Sequence, residues 1–174
     1  MYNESQRKEL LSIARKAIEN VFEKKSPELP EKYTEKRGVF VTLKRNHSLR
    51  GCIGLPYPTK RLEEAIAEAA ISAAFNDPRF QAVGKDEIKA IKIEISVLSI
   101  PEPAKPEEIK VGKHGIMCQY EGHSGLLLPQ VATEEGLSKE AFLEALCDKA
   151  FLGRECWKQP GFKLQKFEAE IFSE

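Results

Sequence analysis

The sequence predicts an α+β fold, a β-sheet flanked by helices, and three observations carry that prediction. Residues 91–99 alternate, with Ile91, Ile93, Ile95 and Val97 on one face and Lys92, Glu94 and Ser96 on the other, which is the period of a half-buried strand. Residues 5–24 place Leu10, Ile13, Ala14, Ala17, Ile18, Val21 and Phe22 at three-and-four spacing, one face of an amphipathic helix. The other strand patterns come in groups rather than alternating one-for-one with helices, which favours α+β over a doubly wound sheet.

Taken in order, the first helix has Ser5 as its expected N-cap and ends at Ser26-Pro27-Glu28-Leu29-Pro30, because proline cannot continue a helix. Residues 38–44 read as a strand, Arg45-Asn46-His47-Ser48 as a turn, and 49–55 as a second strand broken by Pro56-Tyr57-Pro58. Thr59 is the expected cap of a helix over about 60–75, with Leu62, Ile66, Ala69, Ala70, Ala73 and Ala74 as a stripe small enough for close packing. Asp77-Pro78-Arg79-Phe80 stops that helix. The prolines at 101, 103 and 106 make a stiff connector and the expected lobe boundary within one domain over 1–174. Short strands are expected at 109–111, 116–120 and 125–128. A helix starts after Ser138, with Leu137 and Phe142 placed as a hydrophobic staple. A last strand covers 162–172, where the apolar phase slips between Leu164 and Phe167 and suggests a bulge.

Composition narrows the function. Lys and Arg together number 27, as do Asp and Glu, so no global basic field draws the chain to nucleic acid. Lys44, Arg45 and Arg50 form only a local basic patch. No apolar run approaches the roughly 18–20 residues that cross a bilayer, and the polar start Met1-Tyr2-Asn3-Glu4 has no signal-peptide core, so a cytoplasmic protein without membrane contact is expected. The four cysteines, Cys52, Cys118, Cys147 and Cys156, contain no Cys-x-x-Cys pair and are expected to be reduced thiols. No dinucleotide, P-loop, Gly-x-Ser-x-Gly or His-Glu-x-x-His pattern is present, and no cofactor or metal is expected.

The segment Leu49-Arg50-Gly51-Cys52-Ile53-Gly54 is the leading candidate site. Glycines within a strand mark a bulge, a bend or a close backbone approach. Between them, Cys52 is either a small packed residue or a thiol whose acidity Arg50 raises. His114, in Gly112-Lys113-His114-Gly115, and His47 are candidate general bases for that thiol, the alternative being turn histidines satisfied by backbone. His114, Cys118 and His123 do not have zinc-site spacing. In Asn76-Asp77-Pro78-Arg79-Phe80, Arg79 either reaches an anion or pairs with Asp77.

Six segments in order, Gly38-Val39-Phe40-Val41-Thr42-Leu43, the Cys52 hexapeptide, Asp77-Pro78-Arg79-Phe80, Ile93-Glu94-Ile95-Ser96-Val97-Leu98, His114-Gly115-Ile116 and Leu127-Leu128-Pro129-Gln130-Val131-Ala132, closely resemble the AMMECR family over about residues 5–172. The resemblance implies an α+β chain of two unequal lobes around a cleft that the hexapeptide faces, and no established activity. It implies a small-molecule or protein partner at the cleft, with an accessory place in a set that includes a Memo-like and a radical-SAM protein. The alternative it implies is a cysteine-dependent enzyme. Carried over by position, the site residues are Cys52 and His114 for catalysis, and Arg50, Gly51, Gly54, Asp77, Arg79 and Phe80 for ligand binding. The chain departs from the family pattern in two places: Gln81-Ala82 follows Arg79-Phe80 where proline is usual, and Phe151 stands in Lys149-Ala150-Phe151-Leu152 where glycine is usual.

Overall fold

All residues, Met1–Glu174, are described by the computed structural model, and they divide into two units, Met1–Leu98 with Glu170–Glu174 and Ser99–Ala169. The strands are β1 (Val39–Arg45), β2 (Ser48–Leu55), β3 (Ile91–Leu98), β4 (Glu102–Pro103), β5 (Gly115–Tyr120), β6 (His123–Leu127), β7 (Lys163–Phe167) and β8 (Ala169–Ser173). The α-helices are α1 (Glu4–Glu23), α2 (Leu62–Phe75), α3 (Pro129–Glu134) and α4 (Lys139–Lys149). They build two four-stranded sheets, ordered β2-β1-β3-β8 and β4-β7-β5-β6. This is the expected α+β class, with two sheets where one was expected. No helix is long and apolar enough to cross a membrane.

In the first unit the periodic face of α1 supplies Leu10, Leu11, Ile13, Ala14, Ala17 and Ile18 to the core. Its cap is Asn3 rather than Ser5: the Asn3 side chain accepts from Gln6 N and the Gln6 side chain accepts from Asn3 N, both at 2.9 Å. That reciprocal pair satisfies two amides at once, whereas Ser5 lies inside the first turn. Helix α2 likewise starts later than expected, with Arg61 at the cap position and no part for Thr59. The Glu64 carboxylate, three residues on, takes the Arg61 N–H at 3.2 Å.

Strand β1 is central. Val39, Val41 and Leu43 are fully buried on one face, opposite Val97, Ile95 and Ile93 of β3. Phe40, Thr42 and Lys44 point to the other face. The β1–β2 hairpin turns at Asn46 and His47, both with positive φ (50° and 64°), the backbone a two-residue hairpin loop requires.

In the second unit β5 pairs with β6 and β7 over a core of Ile116, Cys118, Phe142, Leu143, Leu146 and Leu164. Ser138 caps α4 as expected, accepting from Ala141 N at 3.2 Å. Three expectations are corrected. Residues 109–111 form no strand: Ile109 is buried, and the chain turns so that Lys113 and His114 both donate to the Lys110 carbonyl. The stretch 162–172 is not one bulged strand. It is β7 and β8, in different sheets, and the phase slip has no bulge behind it: Leu164 and Phe167 pair in unbroken register with Cys118 and Gly115, so they lie on opposite faces of β7, and both are buried. Cys147 and Cys156 are not free thiols but a disulfide, which ties the end of α4 to the short turn at Cys156–Lys158. They are nine positions apart with no Cys-x-x-Cys signal. Closing a loop of that length is worth about 2–3 kcal/mol, so reduction should lower the unfolding free energy by that amount, read as a shift in urea midpoint with and without dithiothreitol. An equal midpoint would count against a structural role.

Helix α4 ends in a Schellman motif. Phe151 N donates to Asp148 O at 3.0 Å and Leu152 N to Cys147 O at 3.0 Å, which requires left-handed backbone at Phe151 (φ 59°). Glycine is the residue this position favours, and Phe151 is also 91% exposed. Phe151→Gly should therefore stabilise the chain by about 0.5–1 kcal/mol, since relief of the left-handed penalty exceeds the entropy cost of glycine. Thermal unfolding checks it, and a lower midpoint would refute it.

Candidate functional site

Register determines what Cys52 can do. From the turn, Arg45 pairs with Ser48 and Lys44 with Leu49, but Leu43 pairs with Gly51, so Arg50 is an extra residue, a β-bulge. The bulge moves Cys52 opposite Thr42, onto the face away from the Val39, Val41 and Leu43 core. Cys52 is accordingly only partly buried, and its Sγ lies 3.2 Å from the Thr42 hydroxyl. Glu94 of β3 is opposite Thr42 on the same face and pairs with Lys44 at 2.9 Å.

The two glycines serve packing. A Cβ on Gly51 would come within 2.1 Å of the Ala73 carbonyl oxygen, so β2 lies directly against α2. A Cβ on Gly54 would fall within 2.2 Å of the Phe40 ring, which covers that position across the strand pair.

The Asp77-Pro78-Arg79-Phe80 turn reaches β2 through side chains. Asp77 is buried. Its Oδ2 accepts from Cys52 N at 2.8 Å and from Arg79 Nη2 at 2.8 Å, and its Oδ1 accepts from Arg79 Nε at 3.0 Å and Arg79 N at 3.1 Å. Arg79 Nη2 also donates to the Cys52 carbonyl at 3.2 Å. The Arg79 guanidinium holds the Asp77 carboxyl well below the usual carboxylate range, and the Cys52 and Arg79 amides add to this against the opposing effect of burial. The Arg79 side chain is 55% exposed, its Nη1 makes no protein hydrogen bond, and its charge lies 5.4 Å from the Phe80 ring centroid.

Arg50 is placed differently. Its Nε and Nη2 meet the two Glu87 oxygens, each at 3.0 Å, and Nη1 donates to the Gln81 carbonyl at 2.8 Å. A second Nη2 contact reaches the Ala82 carbonyl at 3.4 Å. Arg50 is therefore a brace between the bulge and residues 81–87, and it lowers the Glu87 carboxyl to about 2, with the Gly84 amide adding to this. No local signal ties Arg50 to Glu87, 37 residues away. Thr42 was also absent from the sequence-based candidates, since only the bulge puts it beside the thiol.

His114 belongs to the second unit. It is buried and its Nδ1 accepts from Lys110 N at 3.2 Å, the backbone-satisfied alternative. Burial lowers its pKa, with Lys166 next in effect, so the ring is neutral near pH 7. His47 occupies the hairpin turn. No three His, Cys, Asp or Glu side chains converge as metal ligands.

The fold and site define a class: an α+β protein whose edge strand carries Arg-Gly-Cys-Ile-Gly, braced by an Asp-Pro-Arg-Phe turn. The AMMECR1 family model matches residues 11–172, and the chain belongs to that family. It is 44% identical to Protein TV1384 of Thermoplasma volcanium, covering 96% of this chain and 88% of that one. It is 42% identical to a protein of Aquifex aeolicus, covering 96% and 92%. The crystal structure of the uncharacterized protein PH0010 from Pyrococcus horikoshii superposes with a TM-score of 0.88 at 43% identity, covering 95% of this chain and 89% of that one.

Proposed function

We propose that this chain is a binding protein that takes an anionic group at Arg79, beside Cys52. The observation that supports this reading is the state of Arg79. A buried carboxylate fixes its Nε and Nη2, while Nη1 is unspent and the side chain is more than half exposed. A guanidinium held in place loses little entropy on binding, and its planar fork suits carboxylate and phosphate. Arg50, with its donors committed, supports the site rather than the ligand. In this reading the thiol lines the site, and the chain acts as an accessory to an enzyme such as the Memo-like and radical-SAM proteins that the family resemblance implies.

Succinate and inorganic phosphate, each titrated at constant ionic strength, test the reading by thermal shift. Saturable stabilisation of the wild type is expected, reaching about 2.7 kcal/mol at a hundredfold excess over Kd. It should be lost in Arg79→Gln and kept in Cys52→Ala. An equal shift in Arg79→Gln, or none in the wild type, refutes it. The cysteine-enzyme alternative predicts instead that iodoacetamide alkylates Cys52 at pH 7 faster than a cysteine in a short peptide.

A further inference from the structure

Strand β2 lies at the edge of its sheet, with β1 as its one strand neighbour. Both main-chain groups of Cys52 point away from β1: the N–H donates to Asp77 Oδ2 and the carbonyl accepts from Arg79 Nη2. Two side chains thus stand where the carbonyl and amide of a further strand would be. In an antiparallel ladder alternate residues turn their main-chain groups the same way, so Gly54 presents its N–H and C=O to this same edge, where neither makes a hydrogen bond. Gly54 has no side chain and the Phe40 ring covers it on the sheet face. What position 54 offers is main chain alone.

We propose that the ligand is the C-terminus of an extended peptide, which adds to the open edge of β2 at Gly54 as an antiparallel strand and lays its α-carboxylate against Arg79 Nη1. This rests on the anion-binding reading above and names its ligand. The Asp77–Arg79 pair already fills the ladder positions at Cys52, so an added strand cannot run past that residue and must end there. Of the two chain ends, the carboxylate complements the unspent guanidinium N–H groups, whereas an ammonium would be repelled. Because β2 runs from Ser48 to Leu55, a peptide whose C-terminus lies at the Cys52 end runs antiparallel, as every pairing of β1 does. Main-chain pairing supplies affinity with little demand on sequence, and capture of the terminal carboxylate supplies the register.

Hexapeptide pools of random sequence, one with free C-terminal carboxylates and one amidated, test this on the isotope-labelled protein by NMR. The acid pool at millimolar concentration should slow exchange of the Gly54 amide at least tenfold, and the amidated pool should bind at least tenfold more weakly. Arg79→Gln should erase the difference between pools. Succinate should shift the Arg79 Nε–H signal without protecting Gly54. Equal binding of the two pools, or an unprotected Gly54 amide, overturns the proposal. If succinate alone binds, the anion site stands and the peptide does not. If neither binds, both readings fall.

Discussion

Gly51→Ala is expected to destabilise the chain by about 3 kcal/mol, at the upper end of what overpacking costs. The added methyl would meet the Ala73 carbonyl oxygen at 2.1 Å and its carbon at 3.1 Å. Both are backbone atoms in the last turns of α2, where Ala69, Ala70, Ala73 and Ala74 are buried, so no side chain can rotate away. In Gly54→Ala the atoms nearest the added methyl all belong to the Phe40 ring, a side chain that can turn, and the variant should cost about 1 kcal/mol. Gly84→Ala, whose Cβ would lie 3.7 Å from the nearest Glu87 oxygen, should stay within about 0.5 kcal/mol. Urea midpoints of the three variants should fall in that order. A Gly51→Ala midpoint equal to that of Gly84→Ala would show that β2 and α2 are not held in contact.

Much of this arrangement was legible in the sequence because it is encoded locally. The alternation of β3, the face of α1, the turn at Asn46-His47 and the cap at Ser138 all depend on neighbours within a few positions. The site was legible only in part, and the reason lies in one residue. A regular hairpin counted back from the Arg45–Ser48 pair would place Cys52 opposite Val41, on the core face. The bulge at Arg50 shifts the register by one and puts the thiol opposite Thr42, and a one-residue shift exchanges the two faces of a strand. Sequence alone could not choose between a packed cysteine and an exposed one because it could not count that residue. The same holds for 162–172, where the phase slip was visible but not its cause, the burial of Leu164 and Phe167 on opposite faces of a regular β7. The Cys147–Cys156 bridge and the Arg50–Glu87 pair depend on approach in space, and nothing near either residue announces its partner. Arg79 shows the reverse. Its pairing with Asp77, two residues away, was one of two alternatives read from the sequence. The structure satisfies it and still leaves Nη1 for the other.

Asp77→Asn is the second large effect expected. It should remove about 2–3 kcal/mol near pH 7, because the ionised carboxylate accepts from the Cys52 amide and the Arg79 guanidinium and hydrogen bonds to a charged group are worth that much. The exposed Arg79 side chain regains water in the variant, so the loss stays below that for a fully buried pair. The pH dependence has a definite sign. The Arg79 guanidinium draws the folded-state pKa of Asp77 below its ordinary value of 3.8. A depressed carboxylate stabilises the fold at all pH values above its unfolded pKa, and that contribution is lost as pH falls towards the folded one. The gap between wild type and Asp77→Asn should therefore be constant from pH 8 to pH 5 and close progressively below about pH 4. Glu87, lowered to about 2 by Arg50, weakens over an overlapping window, but it does so in both proteins and cancels in the difference. Chemical unfolding at a series of pH values measures the gap directly. A gap that stayed constant down to pH 2 would mean that Asp77 does not carry its charge against Arg79. The brace that fixes the guanidinium beside Cys52 would then have to come from elsewhere.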